Sequence, residues 1–342
     1  MKVAVFSSKP YDRRFLDAAN RGRHELRYVD CGLTAATTAY AKDVSAVCLF
    51  ANDQANAGII EALALAGVQL IALRSVGFDN VDLEAARAHD ITVARVPAYS
   101  PNAVAEHAFA LLLSLNRKVH LAYERVRHGN FALDGLMGFD LAGKTFGIIG
   151  TGNIGSVAAR IAHGFGCNVL AVDPVRRDDC GGIVEYVELD ALLKRSDIVS
   201  LHCPLNEYTR HLIGPRQVTL MKPTALLINT SRGSVIDTQA VIEALEARRL
   251  GGLAIDVYEG ERNLFFEDRS GKPIQDELFV RLLALSNVLI TGHQGFLTTE
   301  ALTNIAASTI ENFDAFERTG RPVHEVRLEG STAAVAPRRI NA

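Results

Sequence analysis

The sequence predicts an α/β protein built of two parallel-sheet domains, and three observations carry that prediction. The chain has 342 residues, enough for about two domains. Short apolar runs alternate with helical patterns along most of its length, as in parallel strands joined by helices. A glycine-rich turn stands between one such run and a helical pattern near the middle. Hydrophobic residues make up 48% and charged residues 22%, which excludes disorder as the main state. Lys and Arg number 36 against 39 Asp and Glu, a formal charge of −3. No global basic field exists to hold nucleic acid or an anionic membrane.

The apolar runs predict strands at 2–7, 46–50, 69–73, 145–149, 168–172, 198–201, 225–229, 252–255 and 288–291. A long helix is expected over 102–128, entered after Ser100-Pro101 and carrying an apolar run at 108–113. A second is expected over 298–317, ending before Gly320. Two long helices flanking a strand-rich block suit a chain that crosses between domains. The expected division is therefore discontinuous: residues 1–99 with 296–342, and residues 100–295. Four apolar residues follow Lys2, too few for a signal-peptide core. The densest apolar stretch, 57–73, is interrupted by Glu61 and Gln69, so no membrane span is expected. Cys31, Cys48, Cys167, Cys180 and Cys203 are scattered without a C-x-x-C pair. Reduced thiols and a cytoplasmic location are expected. Arg318, Arg321 and Arg338-Arg339 read as a solvated tail.

The glycine-rich turn is the most informative segment. Thr145-Phe146-Gly147-Ile148-Ile149 runs into Gly150-Thr151-Gly152-Asn153-Ile154-Gly155. Then Ile154, Val157, Ala158, Ile161, Ala162 and Phe165 share one helical face. A second strand ends at Asp173, 18 residues after Gly155. This is the Rossmann dinucleotide pattern. Gly150 permits the tight turn, Gly152 lets backbone approach a pyrophosphate, and Gly155 lets helix and strand pack closely. The helix N-terminus offers free N–H groups and a partial positive charge. Asp173 can accept hydrogen bonds from both adenosine ribose hydroxyls and would repel a 2′-phosphate, which favours NAD(H) over NADP(H). Arg176 and Arg177 work against that preference, because arginine binds phosphate well.

Further on, strand ends deliver charged residues. The run ending at Asn229 leads to Thr230-Ser231-Arg232-Gly233. The next leads to Asp256-Val257-Tyr258-Glu259-Gly260-Glu261, and the last to Gly292-His293-Gln294. In an open parallel sheet the carboxyl ends of strands line the ligand crevice. Reduction of a ketone by a nicotinamide leaves negative charge on oxygen, so a positioned acid should protonate it. His293 suits that task, since imidazole titrates near neutrality and a neighbouring carboxylate, Glu261 or Asp256, favours its charged form. Arg232 can hold a carboxylate and polarise the carbonyl beside it. Glu259 reads as a loop acid. No cluster has zinc-ligand spacing, and no metal is expected.

Together these residues resemble the D-isomer-specific 2-hydroxyacid dehydrogenases, over a span from about Val3 to Phe316. Arg232 precedes Asp256 by 24 residues, Glu261 by 29 and His293 by 61. The wording Leu73-Arg74-Ser75-Val76-Gly77-Phe78-Asp79-Asn80-Val81-Asp82, Val96-Pro97-Ala98-Tyr99-Ser100-Pro101 and Gly292-His293-Gln294-Gly295-Phe296-Leu297 is similar to the D-lactate dehydrogenase branch.

The resemblance implies two Rossmann-like or flavodoxin-like domains with a cleft between them. Residues 1–99 plus 296–342 would be the substrate (catalytic) domain, and 100–295 the NAD-binding domain. It implies NAD(H) as cofactor and a small 2-oxo acid, pyruvate foremost, as substrate. Arg232, Glu261 and His293 take the catalytic positions. Asp256 matches an acid near the nicotinamide. Cys203-Pro204 and Thr209 match contacts to the adenosine and phosphate region, with Thr230 and Ser231 beside them. Val76 and Gly77 match N–H groups that receive the substrate carboxylate, and Phe50, Tyr99 and Phe296 surround its side chain. The resemblance also implies a homodimer through residues 102–129, with a tetramer as the alternative. Two departures stand out: Phe296 replaces a frequent Tyr, and Gly295 a frequent Ala. The expected activity is NAD-dependent D-lactate dehydrogenase. The alternatives are preference for a bulkier acid (2-oxobutyrate, phenylpyruvate, hydroxypyruvate) and a non-catalytic NADH-sensing protein.

Overall fold

The computed structural model describes residues 1–177 and 182–327; Cys180, Arg338 and Arg339 lie outside them. The chain forms two compact units, one of Met1–Ser100 with 297–327, the other of Pro101–Phe296.

The first unit holds strands β1 (Lys2–Val5), β2 (Glu25–Tyr28), β3 (Ala46–Leu49), β4 (Leu70–Leu73) and β5 (Thr92–Ala94). All neighbours pair in parallel in the order β2-β1-β3-β4-β5, the flavodoxin-like order. Period-2 alternation sorts the central strands onto two apolar faces. Val3, Val5, Ala46, Cys48, Leu70 and Ala72 face helix α1 (Pro10–Asn20) and residues of a long C-terminal helix. Ala4, Val47, Leu49, Ile71 and Leu73 face α2 (Ala57–Leu65) and α3 (Leu83–Ala88). Each fully buried Leu, Ile or Val contributes about 1.5–3 kcal/mol, which makes these faces the main source of stability. A bridge from Ala94 to Glu325, flanked by Val326 N–H donating to Val93 O, covers the β5 edge.

The second unit opens with α4 (Pro101–Arg117) and α5 (Val119–Arg127). A single helix over 102–128 was expected; the structure breaks it at Lys118, whose φ is +51°. The Asn116 side chain bonds both the N–H and the C=O of Phe139. That binds the end of α4 to a passing loop, and the chain steps outward. Neither Gly nor Pro marks the break. The sheet then follows: β6 (Thr145–Ile149), β7 (Asn168–Val172), β8 (Val184–Tyr186), β9 (Ile198–Leu201), β10 (Leu226–Asn229), β11 (Gly252–Ile255) and β12 (Val288–Ile290). Its order is β12-β11-β10-β9-β6-β7-β8, all parallel. Helices α4 and α6 (Asn153–Gly164) bury one face. The other is covered by α7 (Leu189–Arg195), α8 (Pro215–Leu220), α9 (Thr238–Glu246) and α10 (Glu277–Ala284). Both sheets bear out the α/β prediction. In the first unit, α11 (Thr299–Thr319) starts at the Thr298 cap, whose side chain accepts from Ala301 N–H, and stops at Gly320 with φ +72°.

Three strands were not expected: β2, β5 and β8. All three are sheet edges. An edge strand is half-solvated and tolerates charge, so Glu25, Arg27 and Glu185 blur the apolar signal. No helix is long and apolar enough to cross a membrane among the described residues.

Candidate active site

The second sheet delivers its candidate residues along one edge. The Gly150–Gly155 loop follows β6, Asp173 follows β7 and Cys203 follows β9. Thr230–Arg232 follow β10, Asp256 follows β11 and His293 follows β12. All are carboxyl ends of parallel strands. The chain order reverses between β6 and β9, where doubly wound sheets bind ligands.

The dinucleotide loop is shaped by what a side chain would hit. Gly150 has φ +94°, and a Cβ there would lie 2.7 Å from Cys203 N. A Cβ on Gly155 would lie 1.9 Å from Gly150 O. At Gly152 a Cβ would meet nothing, so the cradle is open. Gly152 is also the N-cap of α6, and no side chain caps that helix. Its first-turn N–H groups therefore stay available to an anion. Asp173 accepts from Thr151 N–H at 2.6 Å and Val175 N–H at 2.8 Å, which ties the acid to the loop it serves. Arg177 N–H donates to the Tyr186 hydroxyl, which donates to Thr151 Oγ1. The Arg176 guanidinium lies over the Tyr186 ring. These residues fit a dinucleotide. Thr209 ties its own loop, donating to Pro204 O at 2.6 Å and accepting from Asn206 N–H.

Asn229 organises the arginine loop. Fully buried at the end of β10, it accepts from Ser231 N–H and Oγ and donates to Arg232 O. Arg232 Nη1 in turn donates to Ser231 O. The Thr230 hydroxyl oxygen is buried without a hydrogen-bond partner among the described residues. Gly233 is needed for close approach: a Cβ there would lie 2.2 Å from Tyr258 C. That contact brings the arginine loop against the turn holding Glu261, whose Oε2 accepts from Tyr258 N–H.

His293 and Glu261 meet, with Nδ1 and Oε1 2.9 Å apart. A carboxylate only accepts, so Nδ1–H donates and Nε2 is the atom left for exchange. His293 has φ +53°, a left-handed conformation costing about 1–3 kcal/mol for a non-glycine residue. Asp256 holds it there. Its backbone O accepts from His293 N–H at 2.7 Å, its Oδ1 from Gln294 N–H and its Oδ2 from Gly295 N–H. Burial opposes ionisation of Asp256, but hydrogen bonds from His107, Thr291 and Gln294 outweigh it and hold the carboxyl below its ordinary range. The Phe266 ring lies 5.6 Å from the His293 ring, on a residue with φ +67°. Glu259 is a structural acid: it pairs with His211 and accepts from Thr238 N–H at the start of α9.

Phe296 is buried in the second unit, while Phe50, Val76, Gly77 and Tyr99 belong to the first. There Arg95 donates to Val76 O and Ser75 Oγ to Gly77 O, so both carbonyls are taken up. The Phe50 ring lies 5.4 Å from the buried Arg74 guanidinium, and Tyr99 O accepts from Asn304.

Sequence reasoning missed Asn229, His107, Thr291 and Phe266. A signal existed for two of them. Asn229 is a polar residue ending the apolar run 225–229, and His107 interrupts the apolar helical face of Val104, Ala108 and Leu111.

Residues 109–295 match the family described as D-isomer specific 2-hydroxyacid dehydrogenase, NAD binding domain. The D-lactate dehydrogenase of Escherichia coli K12 is 49% identical over 320 residues, covering 93% of this chain and 97% of its own.

The chain belongs to the D-isomer-specific 2-hydroxyacid dehydrogenase family.

It is an NAD-dependent oxidoreductase of that family. The apo-structure of the E. coli D-lactate dehydrogenase superposes on this dehydrogenase with TM-score 0.86 and 45% identity, covering 96% of this chain and all of the other. The pyruvate reductase of Chlamydomonas reinhardtii superposes at 0.87 with 44% identity, covering 94% and 98%. The D-lactate dehydrogenase of Lactobacillus jensenii, solved with NAD+, superposes at 0.79 with 33% identity, covering 96% and 100%. NAD is the cofactor of this dehydrogenase.

Proposed function

We propose that this dehydrogenase interconverts pyruvate and D-lactate. The observation that carries the reading is the His293–Glu261 pair at 2.9 Å, held beside an arginine loop at neighbouring strand ends. Nicotinamide supplies the hydride chemistry when bound; the chain must supply charge and a proton. Gly150–Gly155 and Asp173 hold the cofactor, with Cys203, Pro204, Thr209, Thr230, Ser231 and Asp256 around it. The Arg232 guanidinium pairs with the substrate carboxylate and draws electron density from the adjacent carbonyl. His293 Nε2 gives its proton to the oxygen as charge develops there, and takes it back in the reverse direction. Glu261 fixes the ring and stabilises the imidazolium. Val76 and Gly77 offer N–H groups to the carboxylate, and Phe50, Tyr99 and Phe296 surround a methyl-sized group. The first unit is thus a substrate domain.

Two finer points belong to this reading. The chain works as a homodimer: α5 has no buried residue, and Val119, Tyr123 and Val126 expose one apolar stripe. It works in the cytoplasm, which suits the free thiols of Cys31, Cys48, Cys167 and Cys203.

The test is loss of NADH absorbance with pyruvate, 2-oxobutyrate, phenylpyruvate, hydroxypyruvate and glyoxylate in parallel, with chiral analysis of product. Fastest turnover of pyruvate to D-lactate is expected. Preference for a bulkier acid overturns the substrate. No turnover of any acid despite NADH binding overturns the catalytic reading in favour of a sensing protein.

A further inference from the structure

A histidine outside the reacting set is wired to the turn that carries His293. Helix α4 packs across β10, β11 and β12, and His107 stands on that side of it. Its Nε2 lies 3.0 Å from Thr291 Oγ1 and 3.2 Å from Asp256 Oδ1. Thr291 Oγ1 lies 2.6 Å from Asp256 Oδ1. The carboxylate only accepts, so the threonine hydroxyl gives its proton to Asp256. Its oxygen is then free to accept, and His107 Nε2–H is the donor. One acid thus receives His107, Thr291 and Gln294 N–H at Oδ1 and Gly295 N–H at Oδ2. The His107 side chain is 16% exposed and Asp256 3%, so little water competes for these bonds.

The packing agrees. A Cβ on Gly295 would lie 3.1 Å from Asp256 Oδ2 and 3.5 Å from His107 Cδ2. Gly295 therefore packs directly against both the acid and the histidine ring. Between His107 and His293 the path is short: ring to carboxylate, carboxylate to two successive N–H groups, and those to a residue with φ +53°.

We propose that His107 is a positioning residue for this reaction: by fixing Thr291 and the Asp256 carboxylate it holds the left-handed turn that aims His293. The proposal rests on the reading of His293 as acid–base.

The experiment compares His107→Phe, His107→Gln and Thr291→Val in the full-length enzyme. It uses pyruvate and NADH, with the His293 ring resonance of histidine-labelled apo-protein as a second readout. That resonance is assigned by its loss in His293→Ala. The Phe variant fills the space but cannot donate; the Gln variant restores an N–H near the same place. In His107→Phe, kcat should fall by about 10- to 100-fold, the scale of a misaimed group, with NADH affinity held and the His293 resonance displaced. His107→Gln should recover most of both, and Thr291→Val should reproduce the loss. Should His107→Phe fail to fold, the Gln and Val variants decide. An unmoved His293 resonance overturns the proposal, as does unchanged kcat where His293→Ala is inactive. Full activity in His293→Ala would instead remove the acid–base reading, and the resonance alone would then judge the positioning.

Discussion

At the scale of single residues the proposed chemistry rests on one histidine, His293, kept in an uncommon backbone conformation. His293→Ala removes Nε2 and leaves the glycine loop untouched. We expect kcat to fall by about 10²–10⁴-fold while NADH affinity stays within about twofold. Steady-state kinetics with fluorescence titration of NADH checks this, and near-normal turnover would take His293 out of the mechanism. Glu261→Gln keeps a hydrogen-bond acceptor for Nδ1–H but removes the carboxylate charge beside the ring. The expected outcome is a fall in kcat of about 10- to 100-fold with NADH affinity held, read from steady-state kinetics and NADH titration.

At the scale of elements, two glycines mark where backbone presses on backbone. Gly155→Ala would drive a methyl into Gly150 O, 1.9 Å away, and Gly233→Ala one into Tyr258 C, 2.2 Å away. Neither neighbour is a flexible side chain, so strands or loops must move. For Gly155→Ala the moving parts are β6, the loop and α6 together. We expect NADH binding to be lost and the melting temperature to drop. For Gly233→Ala the arginine loop separates from the Glu261 turn, so KM for the 2-oxo acid should rise while NADH still binds. Circular dichroism melts and NADH titrations separate the two outcomes. Elsewhere the elements explain what patterning alone could not see. The edge strands β2 and β8 carry charges because part of each faces water, and β5 is only three residues long. The break at Lys118 comes from the Asn116–Phe139 clasp, a contact 23 residues apart in the chain.

At the scale of the whole molecule, pH and association follow from burial. Desolvation pushes the His202 imidazole down to about 4, against about 6.5 in an unfolded chain. The unfolded state therefore binds a proton first as pH falls. Above pH 6.5 this group contributes no pH dependence; from 6.5 down to 4 it progressively removes stability. Between pH 7 and 5 the loss should be roughly 1–2 kcal/mol. His202→Gln should flatten that part of the profile, seen in urea midpoints at the two pH values; an equally steep variant would remove His202 as the cause. For association, Tyr123→Glu with Val126→Glu places charge on the α5 stripe. If the proposed homodimer forms through this stripe, sedimentation should report a dimer for the parent and a monomer for the variant.

The sequence by itself determined the class of fold and the order of the chemical groups. A parallel sheet with both faces buried needs continuous apolar strands, and those are visible locally: 145–149, 168–172, 198–201 and 252–255 match observed strands end to end. The glycine loop and Asp173 were legible for the same reason, since a turn, a helix start and a strand end lie within a few residues of one another. Arg232, Glu261 and His293 were legible as polar residues following apolar strands. Only the tertiary structure decided which atoms meet. The His293–Glu261 bond, the Asp256 clasp on Gln294 and Gly295, and the His107–Thr291 contact join residues 32 to 184 positions apart. No local pattern encodes such distances. They follow from neighbouring strands bringing their ends side by side, and from a helix laid across them whose one histidine, half-buried, looks in sequence like a gap in an apolar stripe.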